Sequence, residues 1–135
     1  VYNIRRGGKV DKIEIAKNFP DCSPEELVEI QNYCAEMTAI QLVRFSSQYN
    51  EKRKNTSIAF WLNFFIGFLG AHRFYLEDWV NGCLYLVTLG LGGILPLIDL
   101  FRIKKMTADA NLRIARKLYL EMLPEITMNA MKNKP

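Results

Sequence analysis

Residues 63–76 read NFFIGFLGAHRFYL, apolar for most of their length and then carrying His72 and Arg73, side chains that hydrocarbon tolerates poorly. Between Ile58 and Ala71 there is no charge, and Asn63 is the one polar side chain. Those fourteen residues are too few for a helix that crosses a bilayer, which takes about twenty. Continued to Leu76 the run reaches nineteen, so His72 and Arg73 are expected to end a span at its far surface.

A short segment, EDWVNG, separates this run from a second one of nineteen residues, Cys83–Phe101, interrupted by Pro96 and Asp99. The chain of 135 residues has an ordinary overall composition, half apolar with a net charge of +4. The charge is segregated, however. Residues 1–54 hold nine Lys/Arg and eight Asp/Glu, and residues 102–135 hold eight and three. Residues 55–101 hold only Arg73, Glu77, Asp78 and Asp99. The expected fold class is all-α integral membrane, an antiparallel two-helix transmembrane hairpin flanked by amphipathic cytoplasmic helices. Its regions are an N-terminal helical part (1–55), the hairpin (56–105, spans about 57–76 and 83–101), and a C-terminal amphipathic helix and tail (106–135).

Lys52, Arg53 and Lys54 precede the first run and Arg102, Lys104 and Lys105 follow the second, whereas the turn side offers only Arg73. The positive-inside rule then puts both termini in the cytoplasm and the turn outside, with a bacterial inner membrane as the expected location. In the C-terminal helix, Thr107 is an expected N-cap and Pro124 an expected stop. Leu112, Ala115, Tyr119 and Met122 line one face there, and Arg113, Arg116 and Lys117 lie away from it, where they suit anionic headgroups. The lipid bilayer is thus the expected partner. Nucleic acid is disfavoured because the basic excess lies in a tail after the apolar block instead of in a compact patch.

RRGGK near the start reads as a flexible basic arm, and no charged-apolar-small leader is visible in the opening residues. CSPEEL is a helix start, with Ser23 as N-cap, Pro24 first in the helix and Glu26 three residues after the cap. The helix is expected to run to about Tyr49 and to bury Leu27, Ile30, Cys34 and Met37. Cys22, Cys34 and Cys83 are odd in number and widely spaced beside a single histidine, which argues against a disulfide framework or a zinc site.

Small residues at four-residue spacing mark a helix contact: Asn63, Gly67 and Ala71 on the first run, Thr88, Gly92 and Pro96 on the second. Antiparallel pairing sets Gly67 beside Gly92, Ala71 beside Thr88 and Asn63 beside Pro96. Pro96 cannot bond the carbonyl of Gly92, and the Asn63 side-chain amide is expected to donate there. Asp99, near the inner end of its span, is expected beside Lys54, Thr56, Ser57 and Arg102. Arg73 is expected to meet Glu77. In a straight hairpin His72 and Asp99 lie a membrane thickness apart and form no dyad. With no nucleophile beside a base, no Gly-rich phosphate loop and no ligand cluster, a non-enzyme without metal or cofactor is expected.

Gly67, Gly70, His72, Arg73, Phe74, Tyr75 and Leu76, followed by Gly82, Thr88, Gly90, Gly93 and Ile98-Asp99, resemble the TM2 domain, a pair of membrane helices with a G-x-x-G-x-H-R-F-Y-L signature and an Asp near the end of the second. The resemblance covers about residues 56–105 and extends into DLFRIKKMTADAN with its Asn111. Glu77 departs from it, standing where the family commonly has glycine. It implies a fold and a membrane location, with no common reaction or ligand. The expected function is a structural or scaffold subunit of a larger membrane assembly, meeting other subunits or copies of itself. An oligomeric pore with Asp99 or Arg73 in its passage, a membrane signalling adaptor, and a membrane-anchored enzyme are the alternatives.

Overall fold

A computed structural model describes residues 12–132, which are all helical apart from their connections. Its helices are α1 (Lys12–Lys17), α2 (Pro24–Cys34), α3 (Ala39–Lys52), α4 (Thr56–Ile66), α5 (Ala71–Tyr75), α6 (Trp79–Gly92) and α7 (Ile94–Lys132). The basic arm read at residues 1–10 lies outside the described residues, as do the side-chain surroundings of Phe68 and Gly90 in the signature. Contacts divide the chain into two compact units, residues 1–53 with 112–135, and residues 54–111. The N- and C-terminal regions share one unit.

In that unit α1, α2, α3 and the second part of α7 enclose Ile15, Phe19, Ile30, Cys34, Met37, Leu42, Phe45, Tyr49, Ala115, Leu118, Met122 and Ile126. Phe19 meets Phe45 and Tyr49 edge-on at centroid distances of 6.1 and 5.6 Å, and Tyr33 stacks on Tyr119 at 4.8 Å. Ser23 caps α2 with the full capping box to Glu26. The expected single helix to Tyr49 is corrected: α2 ends at Cys34, and Thr38 opens α3 through a second capping box with Gln41. T-x-x-Q is a start signal, and it lies where the apolar stripe changes face. Burial pushes the Cys34 thiol up to about 12 and raises the Tyr49 phenol, with Cys22 and Glu26 adding to the latter.

Two expectations for the C-terminal helix also fail. Thr107 is no cap: it lies buried inside α7, with its hydroxyl donating to the Ile103 carbonyl one turn back. Pro124 does not stop the helix, which continues through it to Lys132. Arg113, Arg116 and Lys117 are exposed along α7 and line a shallow hollow with Leu120 and Glu121.

In the other unit both apolar runs are broken. Among the described residues no helix is long and apolar enough to cross a membrane. The first run stops as α-helix at Ile66, makes a 3-10 turn over Gly67–Leu69, and turns again at Gly70, where φ is +73°. That left-handed conformation costs an L side chain about 1–2 kcal/mol and glycine nothing. The second run breaks where Leu89, Leu91, Gly92 and Gly93 all take positive φ.

The chain consequently folds back. Lys54 Nζ meets Glu77 Oε1 at 2.8 Å, and the Asn55 amide donates to the Tyr75 hydroxyl at 2.9 Å. The two ends of the supposed first span, set on opposite membrane faces by the straight-hairpin expectation, are neighbours. Asn111 closes the unit by accepting from the Lys54 amide at 2.6 Å and donating to the Lys54 carbonyl at 3.2 Å. A small core of Ala59, Leu76, Ile103 and Ala110 lies at the same end. Glu77 itself has φ +61°, so the position where the resembled family commonly has glycine is indeed a left-handed one.

Candidate functional site

The reversal at Gly70 starts α5 and aims His72 and Arg73 at α6 and α7. A Cβ on Gly70 would come within 2.6 Å of the Tyr85 Cβ, so glycine serves both the turn and the close approach to α6. Gly82 makes room in the same way for the Phe74 ring, 2.9 Å from where its Cβ would stand. Asp99 enters from α7, one turn beyond Pro96.

These elements bring four polar side chains together. The Asp99 carboxylate accepts from His72 Nε2 at 3.0 Å, from Arg73 Nε at 2.9 Å and Nη2 at 2.8 Å, and from the Tyr85 hydroxyl. The third arm of Arg73 reaches outward, with Nη1 donating to Asp78 at 2.9 Å, and Asn81 donates to the same Asp78. His72 is completely buried, and Tyr85 and Asp99 are each 3 % exposed. The imidazole meets the Tyr85 ring edge-on at 5.5 Å, and the guanidinium lies 5.5 Å over the same ring.

The chemistry of the cluster is charge neutralisation. One carboxylate and one forked guanidinium make two parallel charge-assisted bonds, while histidine and tyrosine occupy the remaining carboxylate lone-pair directions. Because Asp99 only accepts, His72 Nε2 donates, which leaves Nδ1 as a buried nitrogen with no hydrogen-bond partner.

The sequence expectations for these residues are largely overturned. His72 and Asp99 lie in direct contact, because the first run folds back at Gly67–Gly70 instead of crossing straight. Lys54 pairs with Glu77, and Asp99 takes His72, Arg73 and Tyr85 in place of Lys54, Thr56, Ser57 and Arg102. Arg73 meets Asp78 and Asp99 in place of Glu77. His72 and Arg73 form the unit's polar interior, where a span-ending surface position was expected. Tyr85 was missed altogether; in the sequence it is one aromatic residue of the second run, with Asn81 and Thr88 a turn to either side, and nothing local marks it.

The small-residue ridges also shift. Gly67 approaches Pro96, whose Cβ is 3.0 Å from where a glycine Cβ would be built, whereas Gly92 has nothing within 4 Å and so does not face Gly67. Ala71 is half-buried, and the Thr88 hydroxyl turns back to the Leu84 carbonyl of its own helix. Asn63 is buried and donates to the carbonyl of Pro96 at 2.9 Å, where that of Gly92 was expected. The reason is that α7 begins at Ile94. Pro96 therefore sits in its first turn, where a missing N–H breaks no helical bond and orphans no Gly92 carbonyl.

Among the described residues there is no group of three or more His, Cys, Asp or Glu able to hold a metal ion. Arg53 hydrogen-bonds the Asp21 carbonyl at 2.7 Å, and Lys52, Arg102, Lys104 and Lys105 are exposed.

Short broken helices around a closed ion-pair cluster define a helical module whose apolar side chains face outward. Residues 52–101 match the family model of the TM2 domain. A TM2 domain-containing protein of Dictyostelium discoideum is 38% identical over 47 residues, 35% of this chain and 34% of that relative. The matched segment thus spans about a third of the relative's length. No solved structure matches the chain.

Proposed function

We propose that this protein is a non-catalytic membrane subunit whose TM2 domain sits in lipid and whose remaining helices serve as a scaffold for other subunits. One observation carries this: residues 54–111 turn their large apolar side chains outward. Trp61, Phe64, Phe65, Val87, Ile94 and Phe101 are all more than half exposed, while His72 and Asp99 are buried. So much exposed apolar surface is costly in water and favourable in hydrocarbon. The polar cluster favours a structural role over a passage, since Asp99 and Arg73 bind each other inside the unit.

The test is membrane fractionation of the full chain, followed by purification in mild detergent. Retention in the membrane after alkaline carbonate and a co-purifying partner in fixed ratio are the expected results. Release by carbonate removes the membrane assignment. Ion flux in liposomes that is abolished by Asp99→Asn replaces the scaffold with the pore.

A further inference from the structure

We propose that the TM2 segment inserts into a single leaflet of an anionic bilayer, entering and leaving on one side, with no crossing. This rests on the membrane assignment above and adds its depth and sidedness. Three ties place the polar parts of the segment at one end: Lys54 to Glu77, Asn55 to Tyr75, and Lys54 to Asn111. From that end α4 runs away, and the chain returns through Gly67–Tyr75. It then leaves again along α6 and comes back along α7, where Asp99 meets His72 and Tyr85 on the way.

Depth follows from helix length. α4 has 11 residues and α6 has 14, so at a rise of about 1.5 Å per residue they reach roughly 16 and 21 Å. Eight residues, or about 12 Å, separate Ile94 from Arg102 along α7. A full hydrocarbon core is about 30 Å thick, and one leaflet is about half of that. All three fall short of the full core: α4 and the α7 stretch match one leaflet, and α6 reaches somewhat beyond it.

Charge agrees with this placement. Lys54, Arg73, Arg102, Lys104 and Lys105 outnumber Glu77, Asp78, Asp99 and Asp109 by one in the unit, and exposed Arg102, Lys104 and Lys105 gather immediately after exposed Phe101 on α7. Basic side chains at the edge of an apolar surface bind anionic headgroups. Exposed Trp79 beside the polar end suits the interface, and exposed Phe64, Phe65, Val87 and Ile94 suit the acyl region.

Sidedness is the decisive test. The full chain carrying Cys22→Ser and Cys83→Ser, with buried Cys34 kept, is added to preformed vesicles of phosphatidylcholine and phosphatidylglycerol. Floated vesicles are treated with a membrane-impermeant maleimide, before and after detergent. Glu77→Cys and Lys105→Cys are the reporters, and Asn81→Cys is a second turn-side reporter should Glu77→Cys disturb the fold. Single-leaflet insertion gives equal labelling of turn and Lys105 sites before detergent, with no gain after it. Labelling of the turn sites only after detergent, with Lys105→Cys open throughout, is a transbilayer hairpin; it overturns this proposal and leaves the membrane assignment standing. A chain that does not float overturns both.

Discussion

Residues 12–53 with 112–132 bury Phe19, Phe45, Tyr49 and Ile126 and expose Arg116 and Lys117, whereas residues 54–111 bury His72, Asn63 and Asp99 and expose Trp61, Phe65 and Phe101. The same backbone element, the α-helix, serves both. What differs is the solvent each exterior is suited to. In the first unit the apolar core gives stability and the polar groups cap its helices. In the second the exterior is already apolar; in the lipid proposed for it, burial of apolar surface contributes little, and hydrogen bonds with close packing hold the helices together. The second unit accordingly gathers His72, Arg73 and Tyr85 at one buried carboxylate.

The sharpest way to break the contrast is to remove that carboxylate. Asp99→Ala leaves Arg73 and His72 buried with lost partners, and about 3–5 kcal/mol of stability should go. Thermal unfolding in detergent, followed through residues 54–111, reads it. A simultaneous exchange to Asp99→Leu and Arg73→Met should recover only the part due to the stranded guanidinium, because His72 and Tyr85 still lack their acceptor. If the double variant is as unstable as the single one, the cluster does more than neutralise itself.

Phe45→Ala is the counterpart in the first unit. The deletion opens a cavity among Phe19, Tyr49 and their neighbours and should cost about 3–5 kcal/mol by denaturant titration. A cost below about 1 kcal/mol would mean that this core is far looser than its ring contacts indicate.

Cys34 gives a pH-dependent measure of the same core. Its thiol is raised from 9.0 to about 12, so the folded state holds the proton more tightly than the unfolded chain. Its contribution is fully present below pH 9 and falls as pH rises from 9 towards 12. A stability curve from pH 7 to 11 should turn down above 9, and Cys34→Ala should flatten that part of it. Iodoacetamide at pH 8 should alkylate Cys22 and Cys83 well before Cys34.

Thr38→Ala removes one capping-box partner of α3 and should cost about 1 kcal/mol in the same titration. Glu77→Gly has the smallest expected effect. Relief of the left-handed strain gains about 1 kcal/mol, and loss of the exposed Lys54 pair returns up to about 1 kcal/mol. A net change within about 0.5 kcal/mol is expected, and raised salt should tilt it towards glycine.

Much of the helical content was legible in the residues. SPEE announces α2, and the absence of charge between Ile58 and Ala71 announces an apolar element, because both signals are local. The reversal at Gly67–Gly70 was harder to see. G-x-x-G reads equally as a helix-packing groove and as a turn, and only the tertiary approach of Tyr85 selects the turn. Once the reversal was missed, every cross-run partner was displaced: Asn63 by one helical turn on its partner, Asp99 by nearly the length of the run. The TM2 resemblance located the site residues without saying which of them touch, since a motif records identity and spacing while contact depends on where the chain bends.

The Asn111 side chain, which holds both polar groups of the Lys54 backbone, makes the beginning and end of a 58-residue segment meet. A segment whose two ends coincide has the topology of an insertion: it enters and leaves its host at one point. The host is then interrupted only between Arg53 and Leu112. Replacing residues 54–111 by a short Gly-Ser bridge should leave a water-soluble helical protein from the remaining sequence, and the excised loop becomes a cassette that could be carried by other helical hosts.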